Sequence, residues 1–96
     1  MTPFKNPFMK SVCVVGTSRV EVLFENSEKR VFDLEPYLEL PAFRTLRDPH
    51  LFDKVQVDSG WALSWPGDID LSHDTIYLEG KAVSHLENYA HHLQSV

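Results

Sequence analysis

The sequence predicts an α+β domain: a small antiparallel sheet of about five strands built from two hairpins, short helices between and after them, and a C-terminal helical tail. Three observations predict it. The 96-residue length fits one hydrophobic core, because a second would need roughly another 50 residues. Two stretches, Lys10 to Glu25 and Val55 to Trp65, carry strand patterns around a short turn. Between and after them, apolar residues recur at three- and four-residue steps, the period of a helix.

Along the chain, Pro3, Phe4, Asn6 and Pro7 break any regular period, so residues 1–9 read as a flexible arm with two apolar handles, Phe4 and Phe8. Lys10 to Val15 is rich in β-branched residues, and Arg19 to Glu25 sets Val20, Val22 and Phe24 against Glu21 and Glu25. The turn Gly16-Thr17-Ser18 joins them into the first hairpin. Turn chemistry at Glu25-Asn26-Ser27-Glu28 then brings back a third strand, Arg30 to Leu34. Glu35-Pro36 opens a short helical segment, where the missing proline N–H is harmless, and it ends near Pro41. Phe43, Leu46 and Phe52 suit a second helical turn interrupted by Pro49.

The second hairpin is the clearest. Val55 and Val57 alternate with Gln56 and Asp58, Ser59-Gly60 turns the chain, and Trp61, Leu63 and Trp65 alternate with Ala62 and Ser64. The two-residue period places both tryptophans and Leu63 on one sheet face. Pro66-Gly67 ends that strand, and Asp70 to Leu78 reads as another helical turn. The domain is thus expected over 10–79, with a helical tail over 80–96. In the tail Ser84 and Glu87 have capping-box spacing, and Val83, Leu86, Ala90 and Leu93 form one apolar stripe.

Composition limits the function classes. The net charge of −5, from 14 acidic and 9 basic residues, repels phosphate, so nucleic acid is not an expected partner. Cys13 is the sole cysteine, which excludes an intramolecular disulfide and any CxxC ligand pair, and fits a reducing cytoplasm. The first ten residues lack the apolar run of a signal peptide, and no segment approaches the roughly 20 apolar residues of a membrane span. A cytoplasmic location is the resulting expectation, with no membrane partner.

Phe32-Asp33-Leu34, Phe43-x-x-Leu46-x-Asp48, Phe52-x-x-Val55-x-Val57-Asp58, Trp65-Pro66, Asp70-Leu71 and Ile76-Tyr77 together resemble the domain of unknown function 2442 family over roughly Ser11 to Leu78. The Trp-Pro, Asp-Leu and apolar-Tyr series is the most specific part. The resemblance implies a small bacterial α+β protein with an antiparallel sheet, and an antitoxin-like role, since some members are encoded beside small toxins. It supplies no catalytic residues. Some relatives continue into a helix-turn-helix module, for which the fewer than about 20 residues after Leu78 are too few. The family commonly has Pro two residues after Asp-Leu; His73 stands there, so it inherits no role.

Asp68, Asp70, His73 and Asp74 form the sharpest chemical candidate, a divalent-metal cluster that a metal-dependent enzyme could use. Their spacing matches neither HExxH nor an EF-hand loop. Asp70 or Ser72 as a helix cap, with Asp74 in the first turn, reads better. His85, His91 and His92 lack the i, i+4 pairing that grips zinc and read as a solvated helix face. Cys13 lies within a valine-rich strand, where a buried thiol acts as a small hydrophobe. His50 near Asp53 lacks a third member. No cofactor is expected.

The resemblance therefore implies a non-catalytic protein-interaction module, with a metal-dependent enzyme using Asp68, Asp70 and His73 or a DNA-binding autorepressor as alternatives. Trp61, Leu63 and Trp65, together with Val83, Leu86, Ala90 and Leu93, are the expected interface. The resemblance implies a small toxin as partner; a second copy in a homodimer is the other expected partner.

Overall fold

In the structure, a computed structural model that describes residues 6–83, three strands form a meander: β1 (Met9–Val14), β2 (Arg19–Phe24) and β3 (Lys29–Asp33). Each pairs antiparallel with the next, Val14 opposite Val20 and Val20 opposite Phe32. The alternation in β2 decides which face is buried. Val20, Val22 and Phe24 point inward and are fully buried, while Arg19, Glu21 and Leu23 take the other face. At the β2–β3 turn Ser27, rather than Asn26, takes the left-handed conformation at φ 71°. Asn26 instead accepts the Glu28 amide through Oδ1 at 3.0 Å.

Two 3₁₀ helices follow, Glu35–Glu39 and Pro41–Arg47, each with proline in its first turn, and then the short α1 (Pro49–Phe52). Asp48 caps α1 by accepting the His50 amide at 2.9 Å, so this carboxylate and His50 serve a turn. The connection drops Leu34, Leu46 and Phe52 into the core.

β4 (Gln56–Asp58), β5 (Ala62–Trp65) and β6 (Ile69–Ser72) make a second antiparallel sheet. The α+β class and antiparallel pairing match the sequence reading, but the strands are divided between two sheets. Ile69 and Leu71, inward against Asp70 and Ser72, form β6 where a helical turn was expected from Asp70. Gly67 at φ 90° and Asp68 at φ 59° let the chain reverse after Pro66, so that Ile69 comes to lie opposite Trp65.

α2 (His73–Glu79) starts only after β6. Ser72 is its cap, its Oγ accepting the Thr75 amide at 3.3 Å, and Asp74 lies in the first turn, as the cap reading anticipates. At Gly80 the chain turns sharply: a Cβ there would lie 2.6 Å from the Ile76 carbonyl oxygen and 3.3 Å from that of Val31. Glycine alone fits that approach. β7 (Lys81–Ala82) then joins the first sheet in the order β1-β2-β3-β7, so the segment from Gly80 begins as a strand. The expected tail helix, with Leu86, Ala90, Leu93 and the three tail histidines, lies outside the described residues.

One core joins everything: Val20, Val22, Phe24 and Phe32 from the first sheet meet Leu63, Trp65, Ile69 and Leu71 from the second, with Phe52 and Ile76 from the helices. The described part of the expected arm is docked. Met9 begins β1, is 2% exposed, and donates its amide to the Gly60 carbonyl at 2.6 Å. Cys13 is exposed rather than buried, because Val12 and Val14 occupy the inward positions of β1 and the strand period turns Cys13 outward.

Candidate functional site

The turn between β4 and β5 shapes the most unusual surface among the described residues. Ser59 at φ 55° and Gly60 at φ 83° bend the chain through the left-handed region, and the Trp61 amide donates to the Asp58 carbonyl at 3.2 Å. Trp61 therefore belongs to the turn and not to the strand. Leu63 and Trp65 are 0% and 4% exposed, while Trp61 is 60% exposed. Of the three aromatic-strand residues expected at an interface, two are core and one is surface. The two-residue period holds for Leu63 and Trp65 and stops short of Trp61, which precedes the first strand residue, Ala62.

Trp65 is explained by packing. Its ring stacks on Phe52 at 6.2 Å between centroids and 20° between planes, and its Nε1–H donates to the Phe52 carbonyl at 3.1 Å.

Trp61 has a neighbour that sequence spacing could not supply. Phe8, 49% exposed, packs on Gly60, close enough that a Cβ on Gly60 would lie 3.5 Å from the Phe8 Cβ. The same ring meets His73 edge-on at 5.0 Å between centroids. His73 in turn donates its backbone amide to the Trp61 carbonyl at 2.8 Å. Three segments far apart in sequence thus meet at one corner, where Trp61 and Phe8, on two of those segments, are each exposed.

His73, the residue without an inherited role, is the clasp of this corner. Its Nδ1 is 3.0 Å from the Pro7 carbonyl oxygen, which can only accept, so Nδ1 carries the proton. Asp74 accepts from the Asn6 side-chain amide at 2.9 Å, and its Oδ1 lies 3.7 Å from His73 Nε2. The start of α2 therefore holds residues 6–8 by side-chain contacts on two adjacent residues. Asp68 and Asp70 are exposed on the β5–β6 hairpin, and among the described residues no group of three or more His, Cys, Asp or Glu side chains is placed to hold a metal ion.

A cleft of about 490 Å³ lies where β3 outruns β7, lined by Arg19, Val31, Tyr37, Leu40 and Lys81. Tyr37 donates its hydroxyl to Glu79 at 2.7 Å across it, and this bond, with partial burial and the nearby negative charge, raises the phenol above its ordinary pKa. The cleft bridges the first 3₁₀ helix and the end of α2, and the Tyr37–Glu79 bond ties these two elements together.

No helix among the described residues is long and apolar enough to cross a membrane. A family model described as a protein of unknown function (DUF2442) matches residues 9–82, from the first residue of β1 to the last of β7. No curated protein and no solved structure matches the chain.

Proposed function

This chain belongs to the DUF2442 family, and from that premise we propose that it is a non-catalytic, cytoplasmic protein-interaction module, an antitoxin-like partner of a small toxin, that docks through the corner formed by Trp61 and Phe8. The observation that carries the reading is the 60% exposure of Trp61 on a backbone held by hydrogen bonds from two other segments. Large exposed aromatics on a preformed scaffold are the residues that anchor interfaces, since they bury much area and lose little side-chain entropy. The antitoxin-like part rests on the family resemblance.

Co-expression with the product of the adjacent gene, followed by co-purification, tests the reading. Trp61→Ala should lower partner recovery at least tenfold, the size of a hot-spot loss of roughly 2 kcal/mol. A chain ending at Val83, which keeps β7 in place, should retain the partner. Equal recovery by Trp61→Ala and the unaltered chain would remove the corner as the interface.

A further inference from the structure

We propose that the partner segment received at the Trp61–Phe8 corner is cationic: an apolar anchor flanked by arginine or lysine. This rests on the interaction reading above and names the chemistry of its partner. Acidic residues from three segments adjoin the corner. Asp58 is hydrogen-bonded through its backbone to Trp61, Glu25 donates its amide to the Phe8 carbonyl at 2.9 Å, and Asp74 adjoins His73. All three residues are exposed.

None of the three is paired with a lysine or arginine among the described residues. Among the described residues the Asp58 carboxylate accepts from Ser59 Oγ at 3.2 Å, and that of Asp74 from the neutral Asn6 amide. Among the described residues one basic residue, Lys10, lies on the same stretch of chain against these three carboxylates. An exposed indole adds to this preference, because the negative face of the ring attracts a guanidinium or ammonium. A second copy fits poorly here: a two-fold contact would set each corner against its equivalent and bring like carboxylates together in a chain of net charge −5. Rim charges of this kind steer association and confer salt dependence, while the aromatic pair supplies the buried area.

The direct probe is an N-acetylated, C-amidated peptide alternating arginine and leucine, titrated into the full chain with tryptophan emission as the signal. A peptide alternating glutamate and leucine is the control. Trp65 is buried, so a change in emission reports Trp61. The arginine peptide should bind, and binding should weaken several-fold as salt rises from about 0.05 to about 0.5 M. The glutamate peptide should not bind. Glu25→Gln with Asp58→Asn, both at exposed positions outside the core, should weaken binding by roughly two- to fivefold with an unchanged thermal melt.

Equal binding of both peptides, binding untouched by Trp61→Ala, or an affinity indifferent to the double substitution would each overturn the proposal. So would a concentration-dependent dimer in sedimentation that Trp61→Ala abolishes, because the second copy would then be the occupant. The two levels of the account separate cleanly. An adjacent-gene partner lost with Trp61→Ala but retained by the Glu25 and Asp58 neutralisation leaves the docking corner in place and removes its charge preference. A partner retained by Trp61→Ala removes the corner itself.

Discussion

Arg30 ties α2 to the first sheet. Its Nε donates to Glu28 at 2.6 Å with a second contact to the same carboxylate, and one terminal nitrogen donates to the Tyr77 carbonyl at 2.8 Å and the Gly80 carbonyl at 3.3 Å. Its guanidinium also lies 3.9 Å from the centre of the Tyr77 ring, whose hydroxyl donates to Glu28 at 2.9 Å. One planar side chain thus caps the carbonyl end of the helix and neutralises its neighbour's charge, which an ammonium could not do with the same geometry. Arg30→Met should therefore lower unfolding stability by about 2 kcal/mol in urea denaturation, and Arg30→Lys should recover only part of it.

Tyr37 makes a prediction in pH. Its folded pKa is raised, so the hydrogen bond to Glu79 contributes stability that is fully present below the unfolded phenol's value near 10 and is lost as pH rises through the higher folded value. Ultraviolet titration of the folded chain should show Tyr37 ionising later than in the unfolded chain, and Tyr37→Phe should remove that late contribution. A folded titration curve identical in the substituted and unaltered chains would contradict this.

Among the elements, α2 and its flanks show most clearly how far residue pattern reaches. The cap at Ser72, Asp74 in the first turn and the stop at Gly80 are local chemistry, readable because a few neighbouring atoms decide them. β6 was hidden because four residues, Ile69 to Ser72, are too few to separate period two from a helical turn; its identity depends on pairing with β5. β7 was hidden for a stronger reason, since two residues become a strand only because Val31 lies opposite Lys81. Likewise, the alternation through Trp65 marked a core face, but where that face ends is a tertiary fact, so Trp61 was legible as apolar and not as exposed. Phe8 was legible only as a loose handle. Gly80→Ala should lower stability by roughly 1–3 kcal/mol through the clash with the Ile76 carbonyl, measured by thermal or chemical unfolding. His73→Ala should leave the fold intact and speed amide hydrogen exchange at Met9, whose hydrogen bond to Gly60 closes the corner that His73 clasps.

For the whole molecule, the two sheets share one core, and the Trp61–Phe8 corner sits where β1, the β4–β5 turn and the start of α2 converge. This placement makes the site rigid without making it buried, the condition under which an exposed aromatic pair serves recognition. The two tryptophans therefore report separate regions: acrylamide quenching should resolve one accessible and one protected indole, and Trp61→Phe should remove the accessible one. Charge acts on the same scale, since a chain with a net charge of −5 should associate with a cationic partner at a rate that falls as salt rises.

The claim that this corner is where a partner docks is tested most directly by amide hydrogen exchange on the chain alone and on the chain co-purified with its adjacent-gene partner. Exchange should slow at Phe8, Gly60 and Trp61 and stay unchanged along β3 and β7. Slowing confined to β3, β7 or the cleft at Tyr37, with the corner amides unaffected, would contradict the account.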